Sequence, residues 1–540
     1  MKFKEYIYNR ISELSCRFTF GVPGYYIMPL WQCFTERTPQ MVLATHEASA
    51  VYMADGWWRS HRQNLAFVFV TLGPGLTNAV TGIASAYKDS IPIVIISGQT
   101  NTKDIATGCF QECSSKFPNS FSPVKLFQNI TKASFEITHK ENAIELFEKA
   151  LSIATSGRKG PVHLSIPLDI QEADIEINNT IEKYEIPDTK NFFVDQQIIS
   201  IINNSQKPLL LLGGGVFLSQ SEELVQTLSE KINAPIITTI KGLTSIDKNC
   251  KNFIGHIGHA SNPNLSKFLK EYNPDLLIVL GASLSSFYFS SISPLLQKTR
   301  ILNVNIEHYA QKIQNRYIHI CSDLHIFLQQ LIPSLQNKHF TPFQYRKYQY
   351  AIKEGDIMAQ CISSLNDILP KNTVVVPDAG NHWLDTLSLY CPQNIHGFFT
   401  NAGLAGMAHA IGFSLGLSFS RQKRVICITG DGSFLMGGTE LITAKKYNLD
   451  IVVIVFNNRS LGRIRIAQEK NFGKNYVATN IGSINFSKLA NALGIKSYRV
   501  ATTKGFSFAI KNSLQEKKAV LIEVLSSPDE LPVCLEEQQV

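Results

Sequence analysis

Short, largely apolar runs alternate with amphipathic segments along the whole chain. These runs are bounded by Gly, Pro, Asn or Asp and have the length of strands, so they predict buried strands. The predicted strands are Met41–Ala44, Leu65–Val70, Ile91–Ile96, Val162–Ile166, Leu209–Leu212, Ile236–Thr239, Leu276–Leu280, Ile301–Val304, Arg424–Thr429, Ile451–Phe456 and Ala519–Leu525. Because strands that are apolar throughout belong to parallel sheets covered on both faces, the pattern predicts an α/β protein with doubly wound parallel sheets.

Two polar segments divide this pattern into three blocks. The segment 174–195 is polar and irregular, and a Lys- and Gln-rich segment over 336–353 is predicted to be a helix. A chain of 540 residues is also too long for one hydrophobic core. The sequence therefore predicts three α/β domains, over residues 1–175, 195–335 and 355–540.

Composition and charge exclude several classes of protein. With 44% hydrophobic and 17% charged residues, the chain is predicted to be globular. Its net charge of +8 is spread out and forms no basic face with aromatic platforms, so no nucleic-acid partner is expected. No apolar run has the length of a membrane span, and no signal core precedes the first block, so no membrane partner is expected. The ten cysteines, including Cys109 and Cys113, are scattered and predicted to be free thiols, which fits a cytoplasmic protein.

The most specific chemical signal lies in the third block. Gly430-Asp431-Gly432 follows one predicted strand, a helix is predicted over about Thr439–Tyr447, and Asn457-Asn458 ends the next strand. Such a strand–helix–strand unit places both polar groups at the carboxyl ends of neighbouring parallel strands, where open sheets bind ligands. A carboxylate from Asp431, an amide oxygen from Asn458 and a backbone carbonyl beyond it suit Mg²⁺. A Gly-Asp-Gly turn alone is common, but this context and spacing favour a metal-diphosphate site.

This segment resembles the diphosphate-binding motif of thiamine-diphosphate enzymes. The resemblance extends over nearly the whole chain and points to the acetolactate synthase and pyruvate oxidase group. It implies thiamine diphosphate and Mg²⁺ as cofactors, and a pyrimidine-binding, a central and a diphosphate-binding domain in that order. It further implies that Asp431, Asn458 and the carbonyl of Ser460 ligate Mg²⁺, while Gly430, Gly432 and Ser433 lie against the diphosphate.

Two further segments of the third block are similar to family motifs. Gly380-Asn381-His382 stands where relatives carry Gly-Gln-His against the diphosphate, with a shorter amide at Asn381. Gly403-Leu-Ala-Gly406-Met407 is similar to the family's Gly-Leu-Gly-Ala-Met. The resemblance implies that Gly406 and Met407 contact the cofactor, with the Met407 side chain wedged between its two rings. A large, adaptable apolar side chain suits that role.

Glu47 is the candidate catalytic residue of the first block. It stands at the head of a predicted helix beside Ala48, Ala50 and Val51, and this partly desolvated setting favours the protonated form of its carboxyl group. In that form it can donate a proton to a ring nitrogen. The resemblance identifies Glu47 as the glutamate that hydrogen-bonds the pyrimidine ring. In the family this block faces the third block of another subunit, which implies a homodimer or homotetramer with the site at the subunit interface.

Two other motifs of the first block have more than one interpretation. The turn Thr71–Asn78 contains Gly73-Pro74-Gly75 and is similar to a family turn near the pyrimidine ring. Phe110-Gln111-Glu112 resembles a segment of acetolactate synthases in which the Gln lies by the substrate. Gln111 is either such a substrate residue or a surface polar residue. His46 could tune Glu47 or simply pack; packing is the better explanation for a single histidine, so His46 is left outside the catalytic set.

Departures from the family pattern affect the expected flavin and the second substrate. Ser283 replaces the arginine with which acetolactate synthases bind FAD, so FAD is possible but not supported, although Gly213-Gly214-Gly215 is kept. Arg463 and Ala467 replace the Met and Trp that shape the acceptor pocket. Tyr25 and Tyr26 also replace small residues of a family loop.

The function predicted from these features is a thiamine-diphosphate- and Mg²⁺-dependent carboligase that decarboxylates a 2-keto acid. Pyruvate is the expected donor, and the acceptor is an unidentified carbonyl compound, more anionic or polar than 2-ketobutyrate if Arg463 lines the pocket. Arg465 is close to Arg463 in sequence and could line the same pocket, but its side chain could instead point to solvent. Two alternatives stay open: a simple 2-keto acid decarboxylase or lyase of the same family, and a non-catalytic homologue.

Overall fold

The computed structural model describes residues 1–34, 38–62, 65–177, 194–285, 289–307, 316–338, 343, 345 and 348–536. Three sheets form the framework, and every pairing in them is parallel. Helices cover both faces of each sheet, which confirms the predicted α/β class. The strands lie between residues 18 and 167, 208 and 321, and 373 and 525. The domain limits 1–175, 195–335 and 355–540 stay a prediction.

The first sheet has the strand order β2-β1-β3-β4-β6-β5. Its strands are β1 Phe18–Gly21, β2 Gln40–Leu43, β3 Ala66–Val70, β4 Ile93–Gln99, β5 Ala133–Glu136 and β6 Val162–Pro167. The helices of this part are Phe3–Glu13, Met28–Trp31, Glu47–His61, Pro74–Asp89, Pro123–Phe127, Ala143–Thr155 and Leu168–Gln171. β3 and β4 are buried along their whole length, as expected for central strands between two helical layers.

The second sheet has the order β12-β11-β10-β7-β8-β9. Its strands are β7 Pro208–Leu212, β8 Ile236–Thr238, β9 Phe253–His256, β10 Leu276–Leu280, β11 Arg300–Asn305 and β12 Tyr317–Cys321. Its helices are Gln196–Asn204, Gly215–Leu218, Glu222–Lys231, Pro263–Tyr272 and Leu324–Ser334. The predicted helix over 336–353 is wrong for the described residues of that range, because 336–338, 343, 345 and 348–353 are not helical; the rest of the range lies outside the described residues. Phe343 and Tyr345 instead pack their rings on the helix Pro263–Tyr272, which holds this segment against the central domain.

The third sheet has the order β13-β14-β15-β17-β16. Its strands are β13 Thr373–Pro377, β14 Arg424–Gly430, β15 Ile451–Asn457, β16 Lys496–Val500 and β17 Val520–Leu525. Its helices are Ile357–Ile368, Asn381–Leu389, His409–Ser418, Asp431–Gly437, Leu441–Lys446, Gly462–Phe472, Phe486–Ala492, Thr503–Glu516 and Val533–Glu536. The predicted helix over about Thr439–Tyr447 is present as Leu441–Lys446, but a further helix, Asp431–Gly437, precedes it and was not predicted. Glycines are poor helix formers, so sequence reasoning read this first helix as a turn.

Two helices join the first and third parts of the chain through backbone contact. The helix Glu47–His61 packs on the helix His409–Ser418, with glycines at the crossing. A Cβ atom on Gly56 would lie 2.0 Å from the carbonyl oxygen of Phe413, and one on Gly416 would lie 2.0 Å from that of Met53. Any larger residue at these positions would push the helices apart. The two helices begin at or beside the predicted site residues Glu47 and Met407, so this packing helps to fix both.

Two further predictions can be compared with the structure. All ten cysteines are free, Cys109 and Cys113 among them, which confirms the expected thiols. Across the described residues, every helix falls short of the length or apolarity that crossing a bilayer requires.

Candidate functional site

The carboxyl ends of β14 and β15 bring the two predicted metal ligands together. The strands pair in register up to Gly430 and Phe456, so Asp431 and Asn458 emerge at the same edge of the sheet. The N–H of Arg459 donates to Asp431 Oδ2 at 2.6 Å, and the N–H of Gly432 donates to Asp431 Oδ1 at 2.7 Å. The Ser460 N–H donates to Asn458 Oδ1 at 3.0 Å. These bonds hold Asp431, Asn458 and Ser460 in one compact loop.

Asp431 is a buried carboxyl group with only backbone donors around it. Burial raises its pKa to about 6, and the backbone N–H groups of Gly432 and Arg459 oppose that rise. The backbone N–H groups of Ser460 and Asn458 oppose the rise as well. No cluster of three or more His, Cys, Asp or Glu suited to a metal occurs among the described residues. That finding fits a site built from one carboxylate, one amide oxygen and one carbonyl.

Asn381 and His382 lie directly beside this loop. A Cβ atom on Gly462 would lie 2.8 Å from Asn381 Nδ2 and 3.0 Å from Asn458 Nδ2, and one on Gly430 would lie 3.1 Å from His382 Cε1. Burial lowers the pKa of His382 to about 4, so its ring is neutral at pH 7.

Several buried polar atoms of this group have no hydrogen-bond partner in the described part of the chain. They are both amide atoms of Asn381, the Nε2 atom of His382 and the Oγ atom of Ser460. Buried polar atoms in proteins are almost always satisfied, so such a concentration indicates a missing polar ligand. A diphosphate with Mg²⁺ carries acceptor oxygens and a cation in one group. The residues present therefore fit thiamine diphosphate with Mg²⁺, and we call Asp431, Asn458, Ser460, Asn381 and His382 the Asp431 cluster.

Met407 lies over the Gly430-Asp431-Gly432 segment. A Cβ atom on Gly432 would meet the Met407 Cε atom at 3.3 Å and the Leu461 Cδ2 atom at 2.6 Å, so a larger residue there would displace the ends of these two side chains. Gly406 has open space around it, with the Tyr52 hydroxyl 3.8 Å from an added Cβ atom. Ser433 is buried in the helix that begins at Asp431.

Asp378 holds the backbone after Met407 and was not predicted from the sequence. The N–H of Ala408 donates to Asp378 Oδ2 at 2.9 Å, and the Thr429 hydroxyl donates to the same oxygen at 3.2 Å. Ala408 has a φ of 68°, a left-handed conformation that needs such support. The sequence signal that could have identified Asp378 is an acidic residue that follows an apolar run and stands two positions before Gly380.

Glu47 forms a second group with residues of two loops. It is the first residue of its helix, it is buried, and the Asn78 side-chain amide donates to its Oε2 at 3.0 Å. A Cβ atom on Gly75 would lie 3.6 Å from Glu47 Oε1, and one on Gly73 would lie 3.4 Å from the Gln111 Cβ atom. The structure thus brings Glu47, the Gly73-Pro74-Gly75 turn and Gln111 together. We call this group the Glu47 cluster.

The turn that precedes Glu47 is held by Glu440, a residue that sequence reasoning missed. The fully buried Glu440 carboxylate accepts hydrogen bonds from the N–H of Thr45 at 3.1 Å and from its hydroxyl at 2.7 Å. A third bond comes from the Thr443 hydroxyl at 2.7 Å. The only signal for Glu440 in the sequence is an acidic residue beside the apolar face of a predicted helix. His46 caps the Glu47 helix by accepting from the Ala48 N–H at 3.1 Å.

Among the described residues, no recorded hydrogen bond joins a member of the Glu47 cluster to a member of the Asp431 cluster, although Glu440, beyond the Asp431 helix, bonds to Thr45. Large apolar side chains are exposed near each: Phe110 is 80% exposed beside Gln111, and Met436 is 65% exposed on the helix that begins at Asp431. Tyr25 and Leu435 are exposed on the same two surfaces. Exposed apolar surface next to incomplete sites is typical of a protein interface.

Arg463 and Arg465 have different surroundings on the helix Gly462–Phe472. Arg465 is engaged at the surface, where its guanidinium lies 2.8 Å from Asp529 and 3.6 Å from the centre of the Tyr476 ring. Arg463 is exposed. The pKa of His259 in the central domain is lowered first by the burial of His259 and second by the positive charge of Arg463. The His259 ring packs at 6.0 Å on that of Trp383, the residue after His382. Arg463 therefore faces the junction beside the Asp431 cluster.

The residues at the expected flavin position do not support FAD. The N–H groups of Gly213 and Gly215 donate to the carbonyls of Leu280 and Gly281, and a Cβ atom on Gly213 would lie 2.2 Å from the Gly281 oxygen. Close packing of two turns thus explains these glycines. Asn305 bonds within its own neighbourhood, to the Ala282 carbonyl at 3.2 Å and from the Ile306 N–H at 2.9 Å.

Comparison with protein families assigns each of the three parts. The chain matches the thiamine pyrophosphate enzyme N-terminal TPP binding domain over residues 1–117, the central domain over 196–331 and the C-terminal TPP binding domain over 378–524. The chain belongs to the thiamine pyrophosphate enzymes. Thiamine pyrophosphate is thiamine diphosphate, so this confirms the predicted thiamine-diphosphate-dependent enzyme and its cofactor.

Curated relatives of this thiamine pyrophosphate enzyme span nearly its whole length. It is 28% identical to the probable acetolactate synthase large subunit of Methanococcus aeolicus, over 94% of this chain and 89% of the relative. It is 29% identical to the acetolactate synthase isozyme 1 large subunit of Escherichia coli (strain K12), over 91% of this chain and 88% of the relative. These relatives confirm the predicted acetolactate synthase and pyruvate oxidase group.

Solved structures share its fold. The benzoylformate decarboxylase from Polynucleobacter necessarius has a TM-score of 0.85 at 21% identity and covers 98% of this chain and 100% of that one. The 4-hydroxybenzoylformate decarboxylase of Rhodococcus jostii RHA1 has a TM-score of 0.86 at 21% identity, with the same coverage. At this level of identity the likeness concerns the fold alone.

Proposed function

We propose that this thiamine pyrophosphate enzyme is a Mg²⁺-dependent carboligase that decarboxylates a 2-keto acid, with pyruvate as donor. The observation that carries the proposal is the Asp431 cluster. A buried carboxylate, an amide oxygen and several unsatisfied buried polar atoms converge where β14 and β15 end. The acetolactate synthase relatives support a second carbonyl compound as acceptor, because they match almost the full chain.

Each cluster has a role in this proposal. Asp431, the Asn458 side chain and the Ser460 carbonyl bind Mg²⁺, while Asn381, His382, Gly430, Gly432 and Ser433 hold the diphosphate. Gly406 lies beside Met407, and the Met407 side chain orients the two rings. When bound, thiamine diphosphate supplies an electron-accepting ring that lets a 2-keto acid lose CO₂.

Glu47 is the proton-transfer group of this proposal. Its carboxyl group is fixed by Asn78 at 3.0 Å, and the preceding turn is fixed by Glu440. Such support holds a catalytic carboxyl group in one orientation, from which it can exchange a proton with a ring nitrogen. Gln111 lies beside the Gly73-Pro74-Gly75 turn, and in this proposal it contacts the substrate.

The proposal includes a second copy of the chain, as the resemblance to the family implies. Exposed apolar side chains beside Gln111 and on the helix that begins at Asp431 support it. A twofold dimer places the Glu47 cluster of one subunit against the Asp431 cluster of the other, and covers both apolar surfaces at once. A homodimer, or a tetramer built from such dimers, is therefore part of the proposed function.

Product analysis tests the reaction directly. The protein loaded with thiamine diphosphate and Mg²⁺ is incubated with pyruvate, alone and with a set of aldehyde and keto-acid acceptors, and the products are identified by mass spectrometry. The proposal predicts CO₂ release and a ligated product. Acetaldehyde as the sole product would identify a simple decarboxylase, and the absence of any turnover of 2-keto acids would contradict the proposal.

The Arg463→Ala variant tests the acceptor pocket. If the Arg463 guanidinium pairs with an anionic or hydroxyl-rich acceptor, its loss costs about 1.5–3 kcal/mol of acceptor binding in the ligation step and leaves donor decarboxylation nearly unchanged. The measurement compares kcat/KM for acceptor with the rate of CO₂ release. Arg465→Ala is the matched control, because the Arg465 side chain is engaged with Asp529. Equal effects of the two substitutions, or efficient acetolactate synthesis that is indifferent to Arg463→Ala, would contradict this assignment.

A further inference from the structure

A cation-lined cavity lies at the opposite ends of the two helices that begin near the candidate site. It has a volume of about 240 Å³ and is lined by Arg59, His61 and Arg62 at the end of the Glu47 helix. Gln422 and Lys423, beyond the end of the helix His409–Ser418, line the opposite side, together with His396. Among the described residues, no Asp or Glu lines this cavity.

Most of the positive charge around the cavity is already balanced from outside it. Arg59 pairs with Asp55 at 2.7 Å and with Asp89 at 2.8 Å. Arg62 pairs with Glu222 at 2.5 Å, and the same carboxylate oxygen lies 2.7 Å from His396 Nε2. The pKa values of His396 and His61 are lowered, mainly because both rings are buried, so both rings are neutral at pH 7.

Lys423 is the exception. Its Nζ atom lies 3.4 Å from Asn394 Oδ1 and 3.5 Å from the Ile395 carbonyl, both long for hydrogen bonds of an ammonium group. The recorded ion pairs of the described residues do not include it. Burial lowers the pKa of Lys423, and the nearby charge of Arg62 lowers it further. Two cations, Arg62 and Lys423, therefore line the same cavity, and among the described residues Glu222 is the carboxylate recorded in an ion pair with Arg62.

Arg62 also has donors to spare. Its recorded hydrogen bonds, to Glu222 and to the Phe217 carbonyl, both use Nη1. A guanidinium carries five N–H groups, and no bond from Arg62 Nε or Nη2 to another described residue is recorded, so these groups can serve a ligand. A helix C-terminus attracts cations by its dipole, and this explains Arg59 and His61 in the last turn of the Glu47 helix. The helix dipole does not explain Lys423, because Lys423 lies outside that helix. Among the described residues, no recorded ion pair includes it.

We propose that this cavity binds a small phosphate-type anion between Arg62 and Lys423. A phosphate group carries more than one negative charge and offers acceptor oxygens in several directions, which suits a guanidinium and an ammonium group that line one cavity. The cavity volume admits a phosphate or a small phosphorylated metabolite. This site is distinct from the diphosphate site of the proposed function, so binding here does not depend on that function.

Inorganic phosphate is the probe that tests the site. The full-length protein is first saturated with thiamine diphosphate and Mg²⁺, so that the diphosphate site is occupied. Its Tm is then followed against phosphate concentration at constant ionic strength, and binding is measured by isothermal titration calorimetry. We expect a saturable rise in Tm of at least about 2 °C and one phosphate bound per chain.

Three variants decide where phosphate binds. Lys423→Gln is expected to weaken phosphate binding at least about tenfold, which corresponds to about 1.4 kcal/mol. Gln422→Glu, a change at an exposed position of the cavity wall, is expected to weaken it as well, should the first variant fold poorly. Arg421→Gln removes the same charge from an exposed side chain that does not line the cavity, and it is expected to leave binding unchanged.

Four outcomes would overturn the proposal. The first is the absence of saturable binding to the loaded protein. The second is an equal loss in the Lys423 and Arg421 variants, which would indicate general charge screening. The third is binding that disappears once thiamine diphosphate is saturating, which would place phosphate at the diphosphate site. The fourth is equal binding of acetate with the same dependence on Lys423, which would assign the cavity to carboxylates.

Discussion

Glu47→Gln is expected to lower kcat for 2-keto acid turnover by about 10²–10⁴-fold, while the cofactor still binds. The amide of Gln has the size of the carboxyl group and still accepts a hydrogen bond from Asn78, but it cannot exchange a proton with the cofactor ring. A general acid–base step typically contributes a factor of this size. Steady-state kinetics gives the rate, and calorimetry with thiamine diphosphate gives the affinity.

Glu141→Gln is the matched control for this variant. Glu141 is exposed and belongs to the same part of the chain, so its substitution should leave kcat within about twofold of the parent value. A Glu47→Gln enzyme with activity within a few-fold of the parent would remove Glu47 from the catalytic role. A variant that loses cofactor binding as well would show that Glu47 acts through structure and not through proton transfer.

Asp431→Ala is expected to abolish the rise in Tm that thiamine diphosphate and Mg²⁺ give the parent protein. The substitution removes the only carboxylate proposed to ligate the metal, so the charge of the diphosphate is left largely uncompensated. Loss of outer-shell partners of a metal already costs about 10–100-fold in affinity, and a direct ligand should cost at least about 100-fold. Calorimetric titration of the cofactor, with and without Mg²⁺, measures this loss.

The fold of this variant needs its own control. Removing the carboxylate leaves the N–H groups of Gly432 and Arg459 without their acceptor, which destabilises the loop by about 1–3 kcal/mol. Asp431→Asn keeps an acceptor and the side-chain size but removes the charge, and it should lose the cofactor as well. Asp367→Ala, an exposed position of the same part of the chain, should retain it. Undiminished affinity in Asp431→Asn would show that the metal assignment is wrong.

Periodicity and glycine placement predicted the central strands well. β7, β10 and β15 are buried along their full length, and such continuous burial leaves an unbroken apolar run in the sequence. The helix beginning at Asp431 escaped prediction for the opposite reason. Its glycines have low intrinsic helix propensity, and the helix forms because the loop packs beneath Met407 and Leu461.

The polar residues that fix the site were harder to predict. Asp431 and Asn458 were identifiable because strand order alone brings the ends of β14 and β15 together. Glu440 and Asp378 were not, since their partners Thr45 and Ala408 are distant in sequence and only packing makes them neighbours. Lys423 could not be singled out from the sequence, because the cavity that it lines forms between elements from different parts of the chain.

Subunit complementation tests most directly whether Glu47 and Asp431 of different chains complete one site. The inactive Glu47→Gln and Asp431→Asn proteins are mixed in equal amounts, allowed to exchange subunits, and assayed for 2-keto acid turnover with thiamine diphosphate and Mg²⁺. Half of the randomly assembled dimers are mixed and each has one intact site, so activity should return to about a quarter of the parent value. Activity that stays at the level of the separate variants, in a mixture in which mixed dimers are demonstrated by mass spectrometry, would contradict the shared site.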